Sequence, residues 1–247
     1  MCTVVVTRRP GHDWPLILAA NRDEMINRPW RAPGRHWPDR PEVVAGLDEQ
    51  AGGSWMGIND LGVAAAILNR SGTLGSLAGK RSRGELVLEA LDHADAATAA
   101  AMLADLDPEA YRPFNLIIAD NTQSFWLAHR GGAPIRVTAI PEGVSMITEG
   151  DLNDPNSSRI GQHLDRFRAS APDGLAFDAW ASLLTDRAAP PQRSVHDAMC
   201  FARGDGFGTV SHSLVALPAP GIDIAPVWRF ATASTTVSPA WENIQTR

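Results

Sequence analysis

Cysteine is scarce in this chain, with two in 247 residues, and one of them, Cys2, directly follows the initiator methionine. A thiolate is a strong nucleophile, and its activation needs an adjacent base or a lowered pKa. A cysteine at this position can supply its own base. Methionine is readily removed before a small residue. The α-amino group then exposed on Cys2 has a reference pKa of roughly 7.7–8.0, so a useful fraction is neutral near pH 7. Nucleophile and base would share one residue. The competing reading is a small apolar residue that opens a strand.

A second constellation, "AANRDE", closes the apolar run Leu16–Ala20 with Asn21, Arg22, Asp23 and Glu24. If the strand geometry continues through it, Asn21 and Asp23 lie on one face and Arg22 and Glu24 on the other. Both charge signs at a strand end could hold a cationic amine and a substrate carbonyl. Taken alone, the tetrad is equally a surface turn with a local ion pair worth ~0–1 kcal/mol. Asn69 ends the apolar run of "GINDLGVAAAILN". There its amide or its backbone N–H could face a developing oxyanion, or it could form an Asx turn with Ser71 and Gly72. His212 opens the strand "HSLVAL", an ordinary structural place for a lone histidine; with Asn21, Glu24 and Trp55 it is a candidate substrate contact. Trp30, Trp37 and Trp55 could line an apolar cavity. The seven histidines are scattered with no two at ligand spacing, so no metal site is expected. "GDGFG" lacks the strand-to-helix context of a dinucleotide loop.

These residues must be positioned by elements legible in the pattern. Thr3–Thr7 and Leu16–Ala20 read as a β-hairpin. Arg28 to Pro41, with four prolines, reads as a long surface loop and a candidate lid. Trp55–Ile58 and Val63–Leu68 read as strands joined by the turn "NDLG". Helices are expected over Arg83–Leu91 and Ala94–Asp105. The strands "FNLIIAD", "SFWLAHR", "IRVTAI" and "VSMIT" follow, then helices over Asn156–Ser170 and Leu175–Leu184. "TVSHSLVALP", "IDIAPVWRFA" and "ASTTVSP" return to strand. Strands, helices, strands, helices, strands is the order of an α+β layered domain with antiparallel sheets. No repeat or linker divides the chain, so a single domain over residues 1–247 is expected.

Bulk composition narrows the function classes. Hydrophobic residues make up 44% and charged residues 20%, the proportions of a soluble globular protein. The formal net charge of −6 argues against nucleic acid and anionic membrane surfaces. No stretch approaches the ~20 apolar residues of a membrane helix, so no stable membrane insertion is expected. "MCTVVVTRRP" has neither a basic start nor an apolar segment, and two cysteines make no disulfide framework; a cytoplasmic setting is expected.

In combination these segments resemble the NRDE family, which includes the transport and Golgi organisation proteins. The resemblance is carried by "MC", by "LILAANRDE" (Leu16–Glu24) with Arg28–Pro29, by "AGLDEQAGGSWMGI" (Ala45–Ile58), by "AAILN" (Ala65–Asn69), by "RGELV" (Arg83–Val87) and by "FNLIIAD" (Phe114–Asp120). That family looks like a branch of the N-terminal nucleophile hydrolases, near the choloylglycine hydrolases and penicillin V acylases. The resemblance implies a four-layer αββα sandwich of two antiparallel sheets between helix layers, with Cys2 opening a central strand. It implies hydrolysis of a non-peptide amide bond, with Asp23 binding the cysteine's amine and Asn69 in the oxyanion hole. Trp55, Gly57, Asn59, Gly62 and Asn69 match the family's hairpin.

Three positions depart from the hydrolase pattern. Arg22 is adjacent to Asp23, where the hydrolases place a catalytic arginine a few residues earlier. Glu149 stands near the place of a later oxyanion-hole asparagine, and its carboxylate, if ionised, would repel an oxyanion; it is taken as a substrate contact. Val210 stands where relatives often have arginine. Two functions follow as expectations. One is an N-terminal-cysteine amidohydrolase acting on a small-molecule amide or acyl substrate without a cofactor. The other is a non-catalytic haem- or lipid-binding carrier on the same scaffold.

Overall fold

The computed structural model describes residues 2–188, 194–234 and 236–247. Met1, whose removal the nucleophile reading requires, lies outside the described residues. The chain is α+β, with two antiparallel sheets and four α-helices among the described residues. It divides into two compact units, residues 1–28 with 141–244, and residues 29–140 with 245–247.

The first unit is built on a six-stranded sheet. Its strands are β1 (Thr3–Arg8), β2 (Leu16–Met25), β10 (Gly143–Ile147), β11 (Phe207–Leu217), β12 (Val227–Thr232) and β13 (Glu242–Ile244), in the order β10-β1-β2-β11-β12-β13. Helices α3 (Ser158–Ala169) and α4 (Asp178–Leu184) belong to it. Side chains alternate across a strand, so Val5 on β1 and Ile17 and Ala19 on β2 share one face. That face packs on Ile160, Leu164, Phe167, Trp180 and Leu184 of the helices. The β1–β2 hairpin has the expected location, but β2 does not stop at Ala20. It runs ten residues and carries the whole Asn-Arg-Asp-Glu tetrad inside the strand.

The second unit is a seven-stranded meander in which each strand pairs with the next. Its strands are β3 (Trp30–Gly34), β4 (Val43–Asp48), β5 (Met56–Asn59), β6 (Ala64–Asn69), β7 (Phe114–Ala119), β8 (Ser124–His129) and β9 (Arg136–Ala139). Helices α1 (Glu85–Leu91) and α2 (Ala96–Ala104) pack on it through Leu86, Val87, Ala90, Leu91, Ala99 and Leu103. Each unit is thus a sheet carrying a pair of helices, in keeping with the α+β class read from the order of strands and helices.

Three expectations need correction. The proline-rich stretch Arg28–Pro41 is not loop throughout, because Trp30–Gly34 forms the edge strand β3. Its pairing with β4 slips between Arg31 and Gly34, and Pro33 sits in that irregularity. An edge strand tolerates a missing N–H at such a point. "ASTTVSP" contributes no strand among its described residues, and the last strand is Glu242–Ile244 instead. "IDIAPVWRFA" is strand only from Val227 onward, after Pro226.

Candidate functional site

The six-stranded sheet brings Cys2 to Asp23. Thr3 on β1 pairs with Asn21 on β2, which carries Cys2 past the end of its strand beside the Arg22–Asp23 segment. The backbone N–H of Asp23 donates to Cys2 Sγ at 3.3 Å, and the thiol lies 3.5 Å from the Asp23 carbonyl oxygen. Cys2 as a residue is half-buried. Burial raises its pKa, and the Asp23 charge raises it further, while the Asp23 N–H and the Arg22 charge act in the opposite sense. An N–H aimed at sulfur favours the thiolate over the thiol.

The carboxylate of Asp23 points to the helix-packed face. Its partner is a residue that sequence reasoning missed, Arg159, whose Nη1 lies 3.2 Å from Asp23 Oδ2. Both side chains are withdrawn from solvent, at 1% and 0% exposure, which makes this a fully buried ion pair. The same Nη1 donates to Thr3 Oγ1 at 2.9 Å. Arg159 Nε donates to the His196 carbonyl at 2.9 Å, with Nη2 on the same oxygen, and the guanidinium lies over the Phe201 ring. Arg159 is the second residue of α3, where a positive charge opposes the helix dipole. One guanidinium therefore ties together β1, β2 and the short 3-10 turn Val195–Asp197. In the sequence, the only mark of this role is an arginine in the first turn of an otherwise amphipathic helix.

Arg22 is buried and projects from the face opposite Asp23, as the alternation required. Next to it the β2–β11 ladder slips: Asp23 pairs with Thr209 and Arg22 with Ser211, leaving Val210 as the extra residue of a β-bulge. Without the bulge Thr209 and His212 would face opposite sides. With it, both side chains reach the helix-packed face beside Asp23 and Asn21.

Two candidate substrate contacts are committed to that face. Asn21 Nδ2 donates to the carbonyls of Leu184 and Met199 at 2.9 and 2.8 Å. That leaves Asn21 Oδ1 to accept from His212 Nδ1 at 2.7 Å, which assigns the Nδ1–H tautomer. Burial pushes His212 down to about 4, so the ring is neutral near pH 7. Glu24 makes local contacts only: Oε1 accepts from the Met25 N–H at 2.9 Å, and Oε2 lies 3.8 Å from Arg28 Nε. Glu149 follows β10 in a bend, with Oε2 buried and without a hydrogen-bond partner among the described residues.

The remaining candidates belong to the second unit. Asn69 is the last residue of β6, half-buried and opposite Phe114 of β7. Trp55 meets Trp30 edge to face with ring centroids 5.8 Å apart. Asn59, inside the expected turn, holds it shut: Nδ2 donates to the Leu91 and His93 carbonyls, and Oδ1 accepts from the Leu61 and Val63 N–H groups. Among the described residues no group of three or more His, Cys, Asp or Glu side chains is placed to hold a metal ion. None of the described helices is long and apolar enough to cross a membrane.

The family model for Transport and Golgi organisation 2 matches residues 1–219. The chain therefore belongs to the Transport and Golgi organisation 2 family. It is 36% identical over 234 residues to the Transport and Golgi organization protein 2 homolog of Homo sapiens, a match covering 83% of each chain. The Bos taurus homolog is 40% identical over 115 residues, 42% of this chain and 38% of the relative. Among solved structures, a Caenorhabditis elegans N-acylethanolamine-hydrolyzing acid amidase ortholog superposes with a TM-score of 0.63 at 12% identity, over 90% of this chain and 94% of that one. A variant of the conjugated bile acid hydrolase from Clostridium perfringens gives a TM-score of 0.56 at 13% identity, over 98% of this chain and 92% of that one. At these identities the likeness is one of fold, and the fold is that of the N-terminal nucleophile hydrolases.

Proposed function

We propose that this member of the Transport and Golgi organisation 2 family is an N-terminal-cysteine amidohydrolase that cleaves a non-peptide amide through an acyl-enzyme. The observation that carries the reading is the Asp23 N–H aimed at Cys2 Sγ at 3.3 Å, with the buried Asp23–Arg159 pair behind it. The fold likeness to two proteins named as an amidase and a hydrolase supports it.

Removal of Met1 exposes the α-amine of Cys2. That amine takes the thiol proton, and the thiolate attacks the amide carbonyl carbon, forming a C–S bond and a tetrahedral oxyanion. Collapse breaks the C–N bond. The α-ammonium returns its proton to the departing amine, and a thioester remains on Cys2. Water, deprotonated by the same amine, then attacks the thioester and releases the carboxylic acid and the free thiol. Asp23 holds the ammonium, and Arg22 offers a positive charge to the substrate. The test is a panel of linear N-acyl amides of graded chain length, incubated with the Met1-processed protein and with Cys2→Ala, following release of free amine. Release by the wild type that is lost in Cys2→Ala is expected. Equal release by both, or none across the panel, overturns the reading.

One observation favours the second reading, a non-catalytic carrier of haem or an acyl chain: burial raises the thiol pKa, which lowers the thiolate population. The relatives' names, which speak of transport and Golgi organisation, agree with it. Titration with haem separates the two readings. A haem carrier gives a Soret shift that is altered in Cys2→Ala, whereas the amidohydrolase reading expects none.

A further inference from the structure

We propose that Arg159 is a positioning residue for the Cys2 nucleophile, acting through Asp23; the proposal rests on the amidohydrolase reading above. Three observations carry it. First, the arginine is in a costly place. It is buried, in the first turn of α3, where the helix dipole opposes it. A buried ion pair is seldom a net gain over apolar residues of the same volume, so its presence calls for a reason other than stability. Second, its contacts fall on both neighbours of the nucleophile. Nη1 reaches Thr3 Oγ1, next to Cys2 in the chain, and Asp23 Oδ2, on the residue whose N–H meets Sγ. Fixing these two side chains fixes the two strand ends between which the thiol sits. Third, the far side of the guanidinium is held by the His196 carbonyl and the Phe201 ring, so the fork has little freedom to turn.

The charges around the thiol set the sign of the effect. From β2 come Asp23, which raises the thiol pKa, and Arg22, which lowers it. From α3 comes Arg159, which neutralises Asp23, and from the Val195–Asp197 turn comes His196, itself pushed down by burial. Removing Arg159 takes a positive charge from beside the carboxylate that raises the thiol pKa, so the thiolate becomes harder to form.

The experiment follows the pH dependence of Cys2 carboxamidomethylation by iodoacetamide in the Met1-processed protein, read at the N-terminal peptide by mass spectrometry. This readout needs no substrate and reports the thiolate population of Cys2 in the folded protein. In Arg159→Met the alkylation midpoint is expected to rise by about one pH unit, with a roughly tenfold lower rate below the midpoint. Arg159→Lys, which keeps the charge, is expected to restore the wild-type midpoint. A folded Arg159→Met protein with the wild-type midpoint overturns the proposal. Should that variant fail to fold, Asp23→Asn is compared with Asp23→Asn/Arg159→Met, in which position 23 carries no charge. Loss of Arg159 in that background is expected to move the midpoint by less than a third as much, and a full-sized shift overturns action through Asp23. A wild-type Cys2 that resists alkylation at every pH overturns the nucleophile reading itself, an outcome distinct from either of these.

Discussion

The two units bury polar groups in different ways. In the unit built on the seven-stranded sheet, Asp48, Asn59 and Asp120 are met by backbone groups, some in the adjoining turn and some at the helices packed on the sheet. Asp48 Oδ1 accepts from the Gln50 and Ala51 N–H groups, and Asp120 accepts from the Thr122 and Gln123 N–H groups while its other oxygen accepts from the Ala96 N–H at the start of α2. These are turn and cap devices, and their benefit is local order. In the unit built on the six-stranded sheet, Asp23 is met by the side chain of Arg159, 136 residues away. A full charge pair buried where apolar residues would pack as well is weak evidence for stability. It gives definite placement to the groups around it, and those groups are Thr3, Asp23 and Cys2.

The glycines sharpen the contrast. In the motif "AGLDEQAGGSWMGI", a Cβ on Gly46 would fall 2.2 Å from the Trp55 ring, and one on Gly53 would fall 2.5 Å from the Gly84 carbonyl carbon. These residues are required because two parts of the unit meet at closer than side-chain distance. That motif is architectural, whereas the strand "LILAANRDE" contains no glycine and carries the charges.

Four substitutions would break or sharpen this comparison. The largest effect is expected for Arg159→Met, which removes one half of the buried Asp23–Arg159 pair and costs about 3–5 kcal/mol in chemical denaturation; a loss near zero would mean that the pair contributes nothing to the fold. Next is His212. Its folded pKa of about 4 lies below its ordinary 6.5, so the unfolded chain binds the extra proton between these values. Stability is therefore complete above about pH 6.5 and falls as pH drops toward 4, by about 3 kcal/mol for this one group. Burial depresses His163 in the same direction. His212→Gln should accordingly reduce the slope of stability against pH in this window by about one proton, without abolishing it.

Gly46→Ala in the other unit should cost about 1–3 kcal/mol through overpacking against Trp55, while the alkylation profile of Cys2 stays as in the wild type. A changed Cys2 profile would remove the distinction between an architectural and a chemical motif. The smallest effect is expected for Cys2→Ala, about 1 kcal/mol or less, since Cys2 as a residue is only half-buried. A melting temperature that falls as far as in Arg159→Met would make Cys2 a packing residue.

Much of this was legible in the sequence because it is local. The alternation of "LILAANRDE" separated Asp23 from Arg22 by face, and the resemblance to the NRDE family implied that Asp23 serves Cys2. The order of strand and helix patterns gave the α+β class. What escaped was long-range. No periodicity pairs Arg159 with a strand 136 residues earlier, and none joins His212 to Asn21 across 191 residues. For that reason Asn21 and His212 read only as candidate substrate contacts, and nothing in the sequence showed that they bond each other and that Asn21 also meets the Leu184 and Met199 carbonyls, while His212 Nε2 is buried without a hydrogen-bond partner among the described residues. The bulge at Val210 was equally hidden, because the strand "TVSHSLVAL" has no glycine or proline at that point to betray it. The edge strand Trp30–Gly34 was masked by its proline, which an edge can carry and a central strand cannot.

The central claim, that the thiol of Cys2 becomes acylated once its own amine is exposed, is tested most directly by rapid acid quenching of the Met1-processed protein during incubation with N-acyl amides, followed by mass spectrometry of the N-terminal peptide. The account predicts a peptide that begins at Cys2 and carries the acyl mass as a hydroxylamine-labile thioester. A peptide that turns over substrate with Met1 still attached, or a Cys2 that never carries an acyl group while amine is released, would contradict it.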